Sequence, residues 1–258
     1  MGPGLQWASL GCTGMALLAL TSCNPDPCPG DIADECTAGQ LGQVDYRDGD
    51  DGQNSGERGC MKMSEVLWTG SMSNDSVWHP ADIFLEFRNE CARPMDITNW
   101  LIELSGSDSA AWRIPGPAEG AEPRVLDVGE HAFLAASRDG CFPDADWVIP
   151  TFSLPYGDAF RLTLRDSDER LMEPIGSRTQ PPFAGGYDLV SVRSMERIEI
   201  MFGGRGGEPQ SWHYYTDADV DVPNNDRIAT ECRQFTLASP GRPNSPDYSG
   251  AFASGSFE

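Results

Sequence analysis

Basic side chains are scarce in this chain: 18 Lys and Arg stand against 40 Asp and Glu, for a formal net charge of −22. Neutralising phosphates takes clustered Lys and Arg, so this balance argues against binding nucleic acid by bulk electrostatics. Anionic lipid surfaces are disfavoured on the same ground. Histidine is scarcer still, and His79, His131 and His213 lie far apart without the HExxH spacing of a zinc hydrolase. No GxSxG elbow presents a serine nucleophile, and Gly106-Ser107-Asp108-Ser109 does not replace one. None of the eight cysteines has a CxxC partner, which argues against zinc or redox-active pairs. Long capped amphipathic helices are also missing, and beyond the opening segment no apolar run approaches membrane length.

The opening segment is a different kind of sequence. Residues 1–22 contain no Asp, Glu, Lys or Arg, and Met15-Ala16-Leu17-Leu18-Ala19-Leu20 forms a compact apolar run. The run is too short for a stable membrane-spanning helix but suits the core of an export signal. It ends in Leu20-Thr21-Ser22-Cys23, which resembles the lipobox of bacterial lipoproteins. That resemblance implies cleavage after Ser22 and acylation of the Cys23 thiol, with small Thr21 and Ser22 fitting the peptidase subsites. The segment departs from the pattern in having no Lys or Arg before the apolar run. Two or three acyl chains hold a protein stably at a membrane, where one would not. Asn24 follows the cysteine, and by analogy with enteric lipoproteins this favours the outer membrane. The expected location is the cell envelope, at the outer membrane or the cell surface.

Setting aside Cys12 in the signal and Cys23 as the lipid site leaves Cys28, Cys36, Cys60, Cys91, Cys141 and Cys232. An even number in an exported chain points to structural disulfides. Cys28, Cys36 and Cys60 cannot all pair among themselves, and Cys91–Cys141 is the preferred long-range bridge because both lie at apparent strand ends. Residues 23–60 are rich in Pro, Gly, Asp and Cys and lack apolar periodicity, so they are expected to be a disordered acidic tether. Its ~37 residues span up to ~120 Å when fully extended. Within it, Asp45, Asp48, Asp50 and Asp51 form a candidate calcium cluster, since hard cations need several carboxylate oxygens at short spacing. No register satisfies an EF-hand loop, so a solvated linker without metal is the favoured reading, and no cofactor is expected.

From Met61 to Asn244 the pattern is that of β-strands. In 82–88, Ile83, Leu85 and Phe87 share one face, and Glu86 and Arg88 the other. Residues 160–165 alternate more cleanly, with Phe160, Leu162 and Leu164 inward, and 197–202 repeats the scheme. Residues 99–104 and 131–136 read as strands covered on both faces. Turn signals at Asn89-Glu90, Gly129-Glu130, Arg138-Asp139-Gly140 and 155–158 separate these runs. Many short strands without helical crossovers predict a mostly antiparallel sandwich over 61–244, followed by a flexible tail, 245–258.

The order of elements resembles the lamin-tail domain, an immunoglobulin-like β-sandwich. Phe84-Leu85-Glu86-Phe87-Arg88-Asn89 stands where that family has its opening strand, and Ile97-Thr98-Asn99-Trp100-Leu101-Ile102 where it has a strand beginning with Trp. Val128-Gly129-Glu130-His131-Ala132-Phe133-Leu134 and 157–166 match two further signals. Ser211-Trp212 and Ala238-Ser239-Pro240-Gly241-Arg242-Pro243-Asn244 match the closing ones. The resemblance covers about residues 62–244 and implies structural roles. Trp100 would fill the core, Gly129 and Gly157 would permit turns, and Asn89 would close a strand end by side-chain hydrogen bonds. The stretch Leu171–Gln210 is longer than the family's usual connection and is the expected place for a binding loop.

No constellation carries a reaction. The acid pairs Asp144/Asp146 and Asp166/Asp168 are uninformative in so acidic a chain. Gly203–Gly207 lacks the helix and lysine of a phosphate-binding loop. Trp212-His213-Tyr214-Tyr215 reads either as a sugar-stacking patch or, preferably, as strand core and edge. The expectation is a lipid-anchored, non-catalytic envelope protein that displays a β-sandwich to a protein or glycan partner. The alternative is an accessory or catalytic module of an extracellular hydrolase system of nuclease or phosphoesterase type.

Overall fold

The computed structural model describes residues 58–198, 205–216 and 226–247. All belong to one of the two units into which the chain divides, Val44–Glu258. The signal, Cys23, Cys28, Cys36 and the Asp45, Asp48, Asp50, Asp51 cluster lie outside the described residues.

The described part begins with β1 (Met61–Leu67), a short hairpin β2–β3 (Ser71–Met72, Trp78–His79) and β4 (Phe84–Asn89). After β5 (Met95–Asp96) come the hairpin β6–β7 (Leu101–Gly106, Ala110–Arg113), β8 (Val125–Leu126), β9 (His131–Ala135) and β10 (Trp147–Val148). A further hairpin, β11–β12 (Phe160–Arg165, Leu171–Gly176), leads to β13 (Gly186–Tyr187), β14 (Val192–Arg193) and β15 (Met195–Arg197). The last strands are β16 (Trp212–Tyr214) and β17 (Thr236–Leu237), and there is no α-helix among the described residues. A six-stranded sheet in the order β10-β9-β4-β1-β15-β16 packs on a four-stranded sheet, β12-β11-β6-β7, to give an all-β sandwich. A small third sheet, β13-β14-β17, and the two-stranded pairs β2-β3 and β5-β8 make up the remaining pairing among the described residues. Pairing is antiparallel apart from β9 with β10 and β14 with β17.

Between the two large sheets lies the main core. Met63, Val66, Leu85 and Phe87 meet Trp100, Leu104, Leu162 and Leu164, all buried. The alternation of 160–165 produces this directly: Phe160, Leu162 and Leu164 face inward, while Arg161 and Arg165 are only partly covered. Trp100 is completely buried, as its motif implied. A buried ion pair, Arg197 with Glu173, ties β15 to β12, and the Glu173 carboxylate also accepts the Met63 N–H at 2.7 Å. Burial pushes the Glu173 carboxyl up, against the opposing pull of Arg197 and Lys62.

The other face of the six-stranded sheet is covered as well. Leu67, Phe84, Phe133 and Ala135 pack with Phe142, Val192 and Ile228 in a second cluster. Phe84 and Phe142 meet edge-on at 4.9 Å, a favoured aromatic geometry. Strand β9 is accordingly buried at every residue, as expected. Strand β6 is not: Leu101, Glu103 and Ser105 are half-exposed, because the four-stranded sheet is an outer layer covered on one face. The strand expected at 197–202 starts earlier, at Met195, and residues 199–204 lie outside the described ones.

The disulfides correct the expected Cys91–Cys141 pairing. Cys60 bonds Cys91, and Cys141 bonds Cys232. Cys91 belongs to the core between the large sheets, Cys141 to the cluster behind the six-stranded sheet, so the sheet itself stands between them. Cys60, reckoned with the tether, is thereby fastened to the domain.

Candidate functional site

Two acid-rich places emerge when strand register is followed. The first is a row across the back of the six-stranded sheet. Glu65 on β1 stands opposite Glu86 on β4 and opposite Glu196 on β15, and Glu196 stands opposite His213 on β16. Like charges directly opposite in neighbouring strands destabilise a sheet, so the row requires compensation. It comes from the segment that follows β17. Ser239 donates its N–H to Glu65 Oε1 at 2.8 Å, and its hydroxyl lies between Glu65 and Glu196. Gly241 donates its N–H to Glu86 Oε2 at 2.6 Å, and Ser245 donates N–H and hydroxyl to Glu196 Oε2. The Asn244 amide donates to the carbonyls of Ser64 and Arg197 at 3.0 and 2.8 Å. Ser64 hydroxyl and His131 Nδ1 meet Glu86 Oε1 at 2.6 and 2.9 Å. All six carboxylate oxygens have partners.

Glu65 stands buried between two other carboxylates, and both burial and like-charged neighbours oppose its ionisation. Burial, and then the charges of Glu196 and Glu86, hold the Glu65 carboxyl well above the usual carboxylate range. Burial pushes Glu196 up to about 7 despite its hydrogen bonds from Ser239 and Ser245. Burial also pushes the His213 imidazole down. His131 and His213, far apart in sequence, thus reach opposite ends of one row. This acid–base grouping resembles a reaction centre in composition, but it is sealed beneath residues 238–245. It acts as a latch: the acids give the N–H groups of a proline-containing strap buried acceptors.

The second place is an open pocket of about 450 Å³ beside the Cys141–Cys232 bridge. Ser73, Trp78, His79, Asp82, Asp139 and Glu231 supply its functional side chains. The hairpin β2–β3 forms one wall and is held to the loop around Glu231 by Asn74, whose side chain donates to Thr230 O at 3.0 Å and accepts the Gln234 N–H at 2.9 Å. Asp82 is only 6 % exposed. Its Oδ2 accepts the Ser71 hydroxyl at 2.5 Å and the Cys141 N–H at 2.7 Å, while Oδ1 has no hydrogen-bond partner. Burial pushes its carboxyl up against those two bonds. Gly140 is required here, because a Cβ at that position would collide with the Asp82 carboxylate. On the rim, Trp78 is 45 % exposed, its indole N–H fixed to Thr69 O at 2.9 Å and its ring meeting Tyr156 edge-on at 5.4 Å.

The residues singled out from sequence have other places. Asp146 receives Arg124, Arg227 and the Phe133 N–H, and Asp166 closes the β11–β12 turn through Asp168 N–H, Arg170 N–H and the Arg170 guanidinium. Trp212 and His213 are buried, with the Trp212 indole donating to Gly206 O, so no continuous stacking surface forms with Tyr214. The supposed long connection from Leu171 begins with β12, an integral strand of the sandwich, and later turns at Asp188, exposing Leu189 and Val190. Asn89 closes its strand end as expected, donating to Arg93 O and Leu126 O and accepting the Cys91 N–H. Among the described residues, no group of three or more His, Cys, Asp or Glu side chains is arranged to hold a metal ion.

Sequence reasoning missed both acid places. The signal for the row was a Glu at the polar position of each strand, and for the pocket an aromatic and a histidine, Trp78-His79, just ahead of Asp82. No protein-family model and no curated protein matches the chain.

Proposed function

We propose that the protein is an exported, lipid-anchored binding module of the cell envelope, related to lamin-tail domains, whose β-sandwich captures a partner without transforming it. The observation that carries the binding reading is the contrast between its acids. Those behind the sheet are committed to the strap, whereas Asp82, Asp139 and Glu231 line an open pocket rimmed by an exposed tryptophan. Pockets with a few convergent polar groups and an aromatic wall are the usual form of a recognition site. The lipobox-like Leu20-Thr21-Ser22-Cys23 supports the anchoring, and the motif order over 62–244 supports the kinship.

Fractionation of native-host cells tests the anchor. Wild-type protein is expected in the membrane fraction, with an intact mass showing cleavage before an acylated Cys23, and the Cys23→Ala protein is expected to leave that fraction. A Cys23→Ala protein that stays membrane-bound contradicts it. The binding reading is tested by a nuclease and phosphoesterase screen, in which turnover abolished by one carboxylate or histidine substitution would sink it.

A further inference from the structure

The strap brings one hydrogen too few to the glutamate row it covers. Glu86 meets the Gly241 N–H, the Ser64 hydroxyl and His131 Nδ1. Glu196 Oε2 accepts the N–H and hydroxyl of Ser245, and Glu65 Oε1 accepts the Ser239 N–H. The two oxygens left, Glu65 Oε2 and Glu196 Oε1, both lie within reach of the Ser239 hydroxyl, which has a single hydrogen to give. The buried Ser194 hydroxyl forms no hydrogen bond. A proton on either acid completes the set, because Ser239 Oγ then donates to one carboxyl and accepts from the other. Neighbouring charges do not replace that proton. Glu86 adds a third acid opposite Glu65. His213 Nε2 stands 3.8 Å from Glu196 Oε2, but burial opposes its charging against the pull of Asp247. Of the cations around the row and the strap, Arg88 pairs with Glu90, Arg242 with Asp226, and Arg227, packed against Gly241, with Asp146.

We propose that residues 238–245 form a pH-sensitive latch, closed by a proton held between Glu65 and Glu196 through Ser239 Oγ and released from the sheet when that proton leaves. Its loss strands one carboxylate oxygen without a donor and sets two buried negative charges opposite each other on β1 and β15. Lifting the strap returns both acids to water. The strands stay in place, since Met63, Val66, Leu85, Phe87 and Met195 hold them to the core on their other face. Closing the strap takes up a proton, so acid closes the latch and base opens it. The stabilisation of the closed form is full below about pH 4.5 and is lost as pH rises through about 7, the covered value of Glu196. One such proton lowers the closed-to-open ratio roughly fiftyfold between pH 5 and pH 8.

Amide hydrogen exchange followed by NMR on the purified full chain, at pH 5 and pH 8, tests this. Protection of the Ser239, Gly241 and Ser245 N–H groups, corrected for the intrinsic exchange rate, is expected to fall roughly fiftyfold between the two. Leu162 and Leu164, on a central strand of the four-stranded sheet, should stay about tenfold or more better protected than the strap at pH 8. Glu65→Gln offers Ser239 Oγ an amide hydrogen that base does not remove, and should keep the strap's protection constant to within about threefold. Glu196→Gln, the second variant, should do the same from the other side of the hydroxyl. Strap protection that is independent of pH in the wild type overturns the proposal. So does a parallel loss in strap and core to one common value, which is unfolding of the whole domain. Wild-type pH dependence in either folded glutamine variant overturns it as well, because the proton would then not be shared through Ser239.

Discussion

Glu65, Glu86 and Glu196 lie completely buried behind the six-stranded sheet with every oxygen hydrogen-bonded, while Asp82, nearly as buried, keeps one oxygen without a partner. The difference is in what covers them. The row of glutamates is closed by the chain's own 238–245 segment, whose N–H groups and hydroxyls match it. Asp82 has a pocket over it instead. Burial of an acid therefore says little about its role in this molecule; the identity of its donors decides whether it serves the fold or a ligand.

The comparison can be broken most severely at the bridge that borders the pocket. Cys141→Ala/Cys232→Ala opens a loop of 91-residue separation, for an expected loss of about 5 kcal/mol on chain-entropy grounds. Urea unfolding would show it, and a loss below that of the shorter Cys60–Cys91 bridge would contradict it. Next comes Glu86→Leu, which strands the Gly241 N–H and the Ser64 hydroxyl and should cost about 3 kcal/mol. An unchanged urea midpoint would show that the strap is not held there.

The pH dependence sharpens the contrast. Glu65 and Glu196 have raised pKa values in the folded state, so the fold binds more protons than the unfolded chain above pH ~4.5. Stability from these groups is full below the unfolded value and falls as pH rises through about 7, the folded value of Glu196. Unfolding free energy is expected to drop by about 2 kcal/mol between pH 5 and pH 8. A rise over that interval would contradict the raised Glu65 and Glu196 carboxyls. Glu65→Gln, an uncharged near-isostere of the protonated acid, should change stability at pH 5 by less than ~1 kcal/mol and flatten the decline. A slope as steep as that of wild type would place the titrating proton elsewhere.

Much of the sandwich was legible in the sequence. The strict alternation of 160–165 marks an outer-sheet strand with one dry face, and Trp100 and Asn89 occupy the places their motifs implied. The row was illegible for a physical reason: Glu65, Glu86 and Glu196 sit at alternate positions that ordinarily face water. Only the closing strap, up to 174 residues away along the chain, turns that face into an interior. The pocket was hidden in the same way, since Asp82 and Glu231 meet only through the fold. Alternation also cannot say on which face of a sheet a strand end will lie, which is why Cys91 and Cys141 looked like partners.

The most direct test of the division between fold-serving and ligand-serving acids is a pair of urea melts at pH 7, Asp82→Asn beside Glu86→Leu. An asparagine keeps an acceptor for the Ser71 hydroxyl and the Cys141 N–H and removes a buried charge, so Asp82→Asn is predicted to shift stability by less than ~0.5 kcal/mol. Glu86→Leu is predicted to lose about 3 kcal/mol. An Asp82→Asn protein as unstable as Glu86→Leu would contradict the account, because the pocket acid would then be holding the fold like the others.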